Sequence, residues 1–417
     1  MNRGFIRAAL LALLAGTWLP AAGHRKPRPR PKPPARTQIL HPKAIAPFLD
    51  ALARLEARQG PAVRVLQFGD SHTAADYWSG RIRSRLQARF GDGGPGCILP
   101  ARPWRGYPHE GVSILAGQTW AAQCLRSSDC DGWVGLTGAS LAPVPGETFV
   151  LQAAFGEFRV HLLGPGGAAV GASLARGGAD PPAPAPVPLL SSDPIQEDKC
   201  LEIFGQAVPP GAGPRRLALT LPEGSRLLGV DLLSGAPGVI YDELGVNGAE
   251  LLDLDRWNPW LRRGLLARVH PDLIVLAYGT NDMGMGTPAR AGYQTAVRKL
   301  LLALKDESGA SILVVGPLDR LGRKRRQRAA LKDGAAFVVQ ALKDASTEAG
   351  CAFWDTRQSM GGYGSMLKWR RAGLAQKDLV HLNGAGYQRL GDQVADALLE
   401  ALERRRPGAA GNQTRQQ

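Results

Sequence analysis

Short apolar runs that hand over to segments of helical periodicity constrain the fold of this chain most. Val63–Phe68 (VRVLQF) ends at Gly69, and Ala75–Phe90 then puts Ile82, Leu86 and Phe90 on one helical face. Upstream, Ala44–Arg58 has apolar positions at the same spacing. The handover resumes after Val239. Strands are predicted at Val239–Leu244, Leu273–Ala277, Ile312–Val315 and Ala352–Trp354. Helices are predicted at Trp257–Arg268, Ala289–Lys305, Arg325–Ala349 and Ala385–Arg405. Such alternation predicts an α/β domain, a parallel sheet with helices on both faces.

One long interval breaks the pattern. Thr148–Ala154, Phe158–Leu163, Leu201–Phe204, Arg216–Leu221 and Leu227–Leu233 are short strand-like runs separated by Gly/Pro turns, and Gly177–Pro188 is a Pro/Ala-rich loop. Strands with this punctuation and no helical period indicate a β-sandwich. The expected organisation is therefore an α/β domain in two parts, residues 41–110 and 237–405, interrupted by a β module over 111–236.

Charge excludes one obvious class. The chain has 417 residues, 51 Lys+Arg against 36 Asp+Glu, and a formal charge of +15, which invites a nucleic-acid reading. The distribution argues otherwise. Residues 1–23 carry two of these charges, 24–36 six and 404–417 four, leaving about +3 for residues 37–403. Within that body the run Arg320–Arg328 is strongly basic, so the remainder is slightly acidic. The run opens a predicted helix, where cations oppose the dipole; a solvated face, a loop before the helix and a surface for an anionic partner are the readings open to it. No nucleic acid is expected as partner. Basic ends would instead give peripheral, salt-sensitive attraction to an anionic envelope surface.

The ends also suggest a destination. Arg3 and Arg7, the apolar Ala8–Ala15 and small residues at Ala21–Gly23 read as a secretory signal over 1–23. A Pro/Arg/Lys-rich linker is expected over 24–40 and a disordered tail over 406–417. The expected location is the periplasm or cell envelope. Of five cysteines, Cys124 and Cys130 are spaced to close a small loop that export would permit, while Cys97 and Cys351 also suit inert burial. The odd number, Cys200 included, leaves at least one unpaired unless chains cross-link, and no Cys/His metal spacing occurs.

Four segments carry candidate chemistry, each at a strand end or before a helix, the edge where open parallel sheets bind ligands. Gly69-Asp70-Ser71-His72-Thr73 offers a hydroxyl near a helix N-terminus, although Ser and Asp there also serve as caps. Gly245-Val246-Asn247-Gly248-Ala249 is a Gly-rich turn. Gly279-Thr280-Asn281-Asp282 follows a buried strand and supplies a side-chain amide that can donate to an oxyanion, or merely an Asx-turn. Asp378-Leu379-Val380-His381 puts a carboxylate three residues before a histidine, the arrangement that orients an acid/base imidazole.

In this order the four segments resemble the SGNH (GDSL-type) hydrolase superfamily. The resemblance covers roughly residues 60–110 and 237–405. It implies a flavodoxin-like three-layer fold, with Ser71 as nucleophile and His381 as general acid/base oriented by Asp378. It further implies an oxyanion hole of the Ser71 N–H, the Gly248 N–H and the Asn281 side chain, with no cofactor and no metal. Gly248 rather than Gly245 matches the last Gly of the second block.

The usual GDSL leucine is His72 here. With Phe90-Gly91-Asp92-Gly93-Gly94-Pro95-Gly96 and the β insert before the Gly turn, the chain is similar to the peptidoglycan O-acetylesterase branch. That branch implies a carbohydrate-binding-type insert, for which Trp104, Trp120 and Trp133 are candidates to stack on sugars, core burial being the alternative. It also implies an exported esterase acting on an O-acetylated polysaccharide, peptidoglycan first among them. An O-acetyltransferase with the same triad and a non-catalytic glycan-binding protein are the rivals. The sequence leaves oligomeric state open.

Overall fold

The computed structural model describes residues 37–99, 109–116, 120–144, 146–209, 213–322 and 324–406. The signal segment, the Pro/Arg/Lys run as far as residue 36, Trp104 and the tail beyond 406 lie outside the described residues.

Five buried runs build the central sheet. Strands β1 (Val63–Gly69), β2 (Val239–Gly245), β3 (Leu273–Ala277), β4 (Ser311–Val315) and β5 (Ala352–Trp354) pair in parallel in the order β2-β1-β3-β4-β5. This is the flavodoxin-like order of a doubly wound sheet. Helices α1 (Ala46–Glu56), α2 (Tyr77–Phe90), α3 (Pro259–Val269), α4 (Tyr293–Ser308), α5 (Arg325–Glu348) and α6 (Gly384–Arg405) cover it.

Strand alternation divides the core into two layers. Along β3, Leu273, Val275 and Ala277 join Phe48 of α1, Ile82 of α2 and Leu398 of α6 on one face. Ile274 and Leu276 join Leu265 of α3, Val297 of α4 and Val338 of α5 on the other. Each fully buried Leu, Ile, Val or Phe among them contributes about 1.5–3 kcal/mol. Together these layers are what the near-continuous apolar runs predict.

Local chemistry moves some boundaries. α2 starts at Tyr77 because Asp76 is left-handed, φ 51°, with both carboxylate oxygens held by Arg83 at 3.1 and 2.6 Å. The helix expected over Ala289–Lys305 is two pieces, a turn at Thr287–Arg290 and then α4, separated by Gly292 at φ 79°. Asn258 caps α3 by accepting from the N–H groups of Trp260 and Leu261.

Between β1 and β2 the chain builds two antiparallel sheets. One contains Glu157–Gly164, Lys199–Ala207 and Arg226–Leu233; the other contains Phe149–Ala153, Gly171–Arg176 and Arg215–Thr220. Phe149, Leu151, Leu217 and Leu219 pack against Phe158, Val160, Leu162 and Val230 between them, the apolar core of a sandwich. Its first strand, Gly96–Ile98, pairs with Arg226–Leu233 and lies upstream of residue 111, where the sequence suggests the insert begins. Trp120 is buried edge-on against Phe149 at 3.9 Å and donates to Glu147, so it is a core residue and not a sugar platform. Trp133 is partly buried with Lys199 over its ring. All five cysteines are free thiols.

A buried ionic knot joins the insert to the sheet. Arg64 on β1 donates to both oxygens of Asp242 on β2, at 2.8 and 3.1 Å, and to both oxygens of Asp231 on the insert strand Arg226–Leu233, at 3.0 and 2.7 Å. His161 Nε2 lies 3.2 Å from Asp231.

Candidate active site

Because β1 is flanked by β2 and β3, the loops leaving these three strands emerge side by side. Gly69 lies opposite Gly245 on one side and Ala277 on the other. A side chain at Gly69 would strike Thr73 Oγ1 at 2.1 Å, so the strand can turn into the next loop there only as glycine. The second loop is bound to the first through Val246 N–H, which donates to Gly69 O at 2.9 Å.

His381 reaches the same edge from the segment before α6. Leu374 O accepts from Asn383 N–H and His381 O from Gln376 N–H, closing a narrow loop. Leu379 at φ 63° carries local strain, held by Asp378 Oδ1, which accepts from the N–H groups of Val380 and His381 at 3.0 Å each. The other carboxylate oxygen lies 2.7 Å from His381 Nδ1. His381 Nε2 lies 2.9 Å from Ser71 Oγ. A carboxylate can only accept, so the proton sits on Nδ1 and Nε2 faces the serine with its lone pair.

Electrostatics fit that tautomer. Partial burial pushes the Asp378 carboxyl up, but the bonds from His381 and from the Val380 N–H outweigh it and hold the group below the usual carboxylate range. Asp378 is therefore an anion at neutral pH, able to stabilise an imidazolium at His381.

The three loops leaving β1, β2 and β3 carry three candidate donors. Among the described residues, the N–H groups of Ser71 and Gly248 have no acceptor. Gly248 sits at φ 77°, a left-handed conformation suited to glycine. Asn281 Nδ2 donates to Ala249 O at 2.9 Å, tying the third loop to the second and leaving one amide hydrogen. Such a set can bind a developing oxyanion.

The fold gives several motif residues their surroundings and adds Tyr387 and Arg126, which the sequence did not point to. His72 is buried behind Ser71, its Nδ1 2.8 Å from Tyr387 Oη and its ring 5.1 Å from that of His381. Burial first, and then the proximity of His381, pushes its pKa down to about 3, so the ring is neutral. Burial raises Asp70 to about 7 and Asp282 to about 6. Arg126, from the insert, donates Nε to Gly248 O at 3.0 Å, while Arg256 holds the same insert loop through Leu125 O and Ser127 O at 2.6 Å each. Among the described residues no group of three or more His, Cys, Asp or Glu is placed to hold a metal ion.

Comparisons with known proteins place the fold among esterases. The model described as the GDSL-like Lipase/Acylhydrolase family matches residues 211–389. That span contains Gly248, Asn281, Asp378 and His381 but not Ser71, which the insert separates from the other blocks. A solved peptidoglycan O-acetylesterase is 25% identical with a TM-score of 0.70, the match covering 86% of this chain and 97% of that one. More distant are a lipase/acylhydrolase from Enterococcus faecalis (18% identical, TM-score 0.30, 42% of this chain and 80% of that one) and a family two carbohydrate esterase from Cellvibrio japonicus (12%, 0.30, 70% and 98%). No curated protein matches the chain by sequence.

Proposed function

We propose that this chain, which matches the GDSL-like Lipase/Acylhydrolase family over residues 211–389 and a peptidoglycan O-acetylesterase in fold, is an SGNH (GDSL-type) hydrolase: an exported serine esterase that removes O-acetyl groups from an envelope polysaccharide, most naturally peptidoglycan. The observation that carries the reading is the continuous chain Asp378 Oδ2–His381 Nδ1, 2.7 Å, and His381 Nε2–Ser71 Oγ, 2.9 Å. The fold-wide match to a peptidoglycan O-acetylesterase, insert included, supports the substrate class.

The steps follow from the donors and acceptors in place. Ser71 Oγ attacks the acetyl carbonyl carbon as its proton passes to His381 Nε2. The tetrahedral oxyanion is held by the N–H groups of Ser71 and Gly248 and by Asn281 Nδ2. The bond to the sugar oxygen breaks, and that oxygen leaves as the alcohol with the proton from Nε2. Water then gives a proton to Nε2 and attacks acetyl-Ser71. Acetate departs as Ser71 recovers its proton. No step calls on a metal or cofactor.

No helix among the described residues is long and apolar enough to cross a membrane. Export rests on the leader-like residues 1–23, and the basic ends add peripheral attraction to an anionic surface. The test is incubation of the purified protein with O-acetylated and de-O-acetylated peptidoglycan, following acetate, transfer to glycan hydroxyls and binding together. Acetate from the acetylated polymer alone is expected. Transfer without acetate would make the protein an acetyltransferase, and binding without either product a glycan-binding scaffold.

A further inference from the structure

A basic rim lies beside the His381 loop, made of two stretches distant in sequence. Neither residues 320–332 nor residues 356–377 contain an acidic side chain, and both are rich in Lys and Arg. The fold places them together. Tyr363 Oη donates to Arg328 O at 3.4 Å, and Lys332 Nζ lies over the Tyr363 ring at 5.3 Å. Met366 N–H donates to Asp319 at 2.8 Å.

The rim reaches the catalytic residues at two points. Leu321 N–H donates to Leu379 O at 3.0 Å, inside the Asp378–His381 segment. Arg320 Nη1 donates to Thr280 O at 2.9 Å, one residue before Asn281. Lys377 directly precedes Asp378.

These cations are not explained by stability. Arg325, Arg326, Lys368, Arg371 and Lys377 are exposed, and none has an ion pair among the described residues. Elsewhere on the surface arginines pair routinely: Arg81 and Arg85 with Asp392, Arg263 with Asp306, Arg405 with Asp50. Lys368 and Arg371 suit the last turn of the helix Ser365–Arg371, but Arg325 and Arg326 open the 24-residue α5, where the helix dipole repels them. Like charges gathered at a helix start and a neighbouring helix end cost stability unless an anion meets them.

We propose that this rim binds the carboxylates of the acetylated glycan strand on the His381 side of the site, so that the enzyme selects anionic over neutral acetylated polymers. The inference rests on the esterase reading above and narrows its substrate class. Glycans whose peptide stems carry carboxylates fit it; an acetylated neutral xylan does not. Several exposed cations acting together suit such a task, since each alone contributes little in water.

The test compares wild type with two double charge reversals, Arg325→Glu/Arg326→Glu and Lys368→Glu/Arg371→Glu, none of which touches the triad. KM for soluble O-acetylated peptidoglycan strands should rise at least tenfold in both with kcat nearly unchanged. KM for p-nitrophenyl acetate should not move, which also shows that the variants are folded. Amidating the strand carboxylates should raise wild-type KM to the level of the variants. Raising salt from about 0.05 M to about 0.5 M should do the same.

Unchanged KM on the strands in both variants, or wild-type KM indifferent to amidation, would overturn the proposal while leaving the esterase intact. So would reversals that abolish binding to anionic vesicles and spare the strands, since the rim would then serve a lipid surface. Failure of wild type to release acetate from the strands at all would instead remove the esterase reading beneath it.

Discussion

The two parts of this molecule bury polar groups for opposite reasons. Inside the inserted sandwich the layer between the sheets is apolar, from Phe149 and Leu151 to Val230 and Leu232. At the carboxyl edge of the parallel sheet, Asp70, His72, Glu243 and Asp282 are all buried, and Asp70, Glu243 and Asp282 have raised pKa values. Desolvated carboxyls oppose folding. Their concentration at one edge marks where stability is given up for chemistry, while the layer between the insert's two sheets follows the ordinary rule of apolar burial. Among the contacts that link the parts are the Arg64–Asp231–Asp242 knot, Arg126 at the Gly248 turn, and Arg256 on the carbonyls of Leu125 and Ser127.

The sharpest way to break the contrast is His381→Ala. It should lower kcat on acetyl esters about 10⁴-fold or more with little change in melting temperature, because the part-buried ring performs chemistry and fills no core. Comparable losses of activity and stability would mean that the edge is structural too. Asn281→Ala should lower kcat roughly 10²–10³-fold in the same assay, the cost of one oxyanion donor.

The junction gives the reverse pattern. Asp231→Asn leaves Arg64 with one carboxylate and should cost about 3 kcal/mol in urea denaturation, with kcat on small esters nearly intact. Arg126→Ala asks whether the insert serves the site. Its guanidinium is half exposed, so at most about a tenfold fall in kcat is expected, with KM for small esters unchanged. Arg126→Lys should restore part of it. No fall at all would confine the insert to stability and glycan contact.

The smallest effect concerns pH. The folded pKa of Asp70, about 7, exceeds its unfolded value, so its contribution to stability falls as pH rises from about 4 to about 7. That of His72, about 3, is depressed, so its contribution is lost as pH falls from about 6.5 to about 3. The two oppose one another. Relative to wild type, Asp70→Asn should make stability rise more steeply with pH between 4 and 7, and His72→Gln should make it fall, as read from urea midpoints. Parallel profiles in all three proteins would contradict the burial argument.

How much was legible follows from the kind of signal each feature leaves. The parallel strands could be read because both their faces are buried, leaving uninterrupted runs such as LIVLA and SILVV. The insert strand Leu189–Gln196 could not: it is an edge strand, exposed along much of its length, with a Pro and only three apolar side chains besides. The four site segments stand out because strand ends force Gly, Asn and Asp into short motifs. The His72–Tyr387 contact and the Arg126–Gly248 bond leave no such trace, since they join residues 315 and 122 positions apart. Only the fold brings them together.

The decisive measurement is rapid quenching of the enzyme with an acetyl ester, followed by peptide mass mapping. An added acetyl group on the peptide containing Ser71, absent in Ser71→Ala, is the expected result. Turnover that continues in Ser71→Ala, or an acetyl group lodged on another residue, would contradict the assignment of Ser71 as the nucleophile.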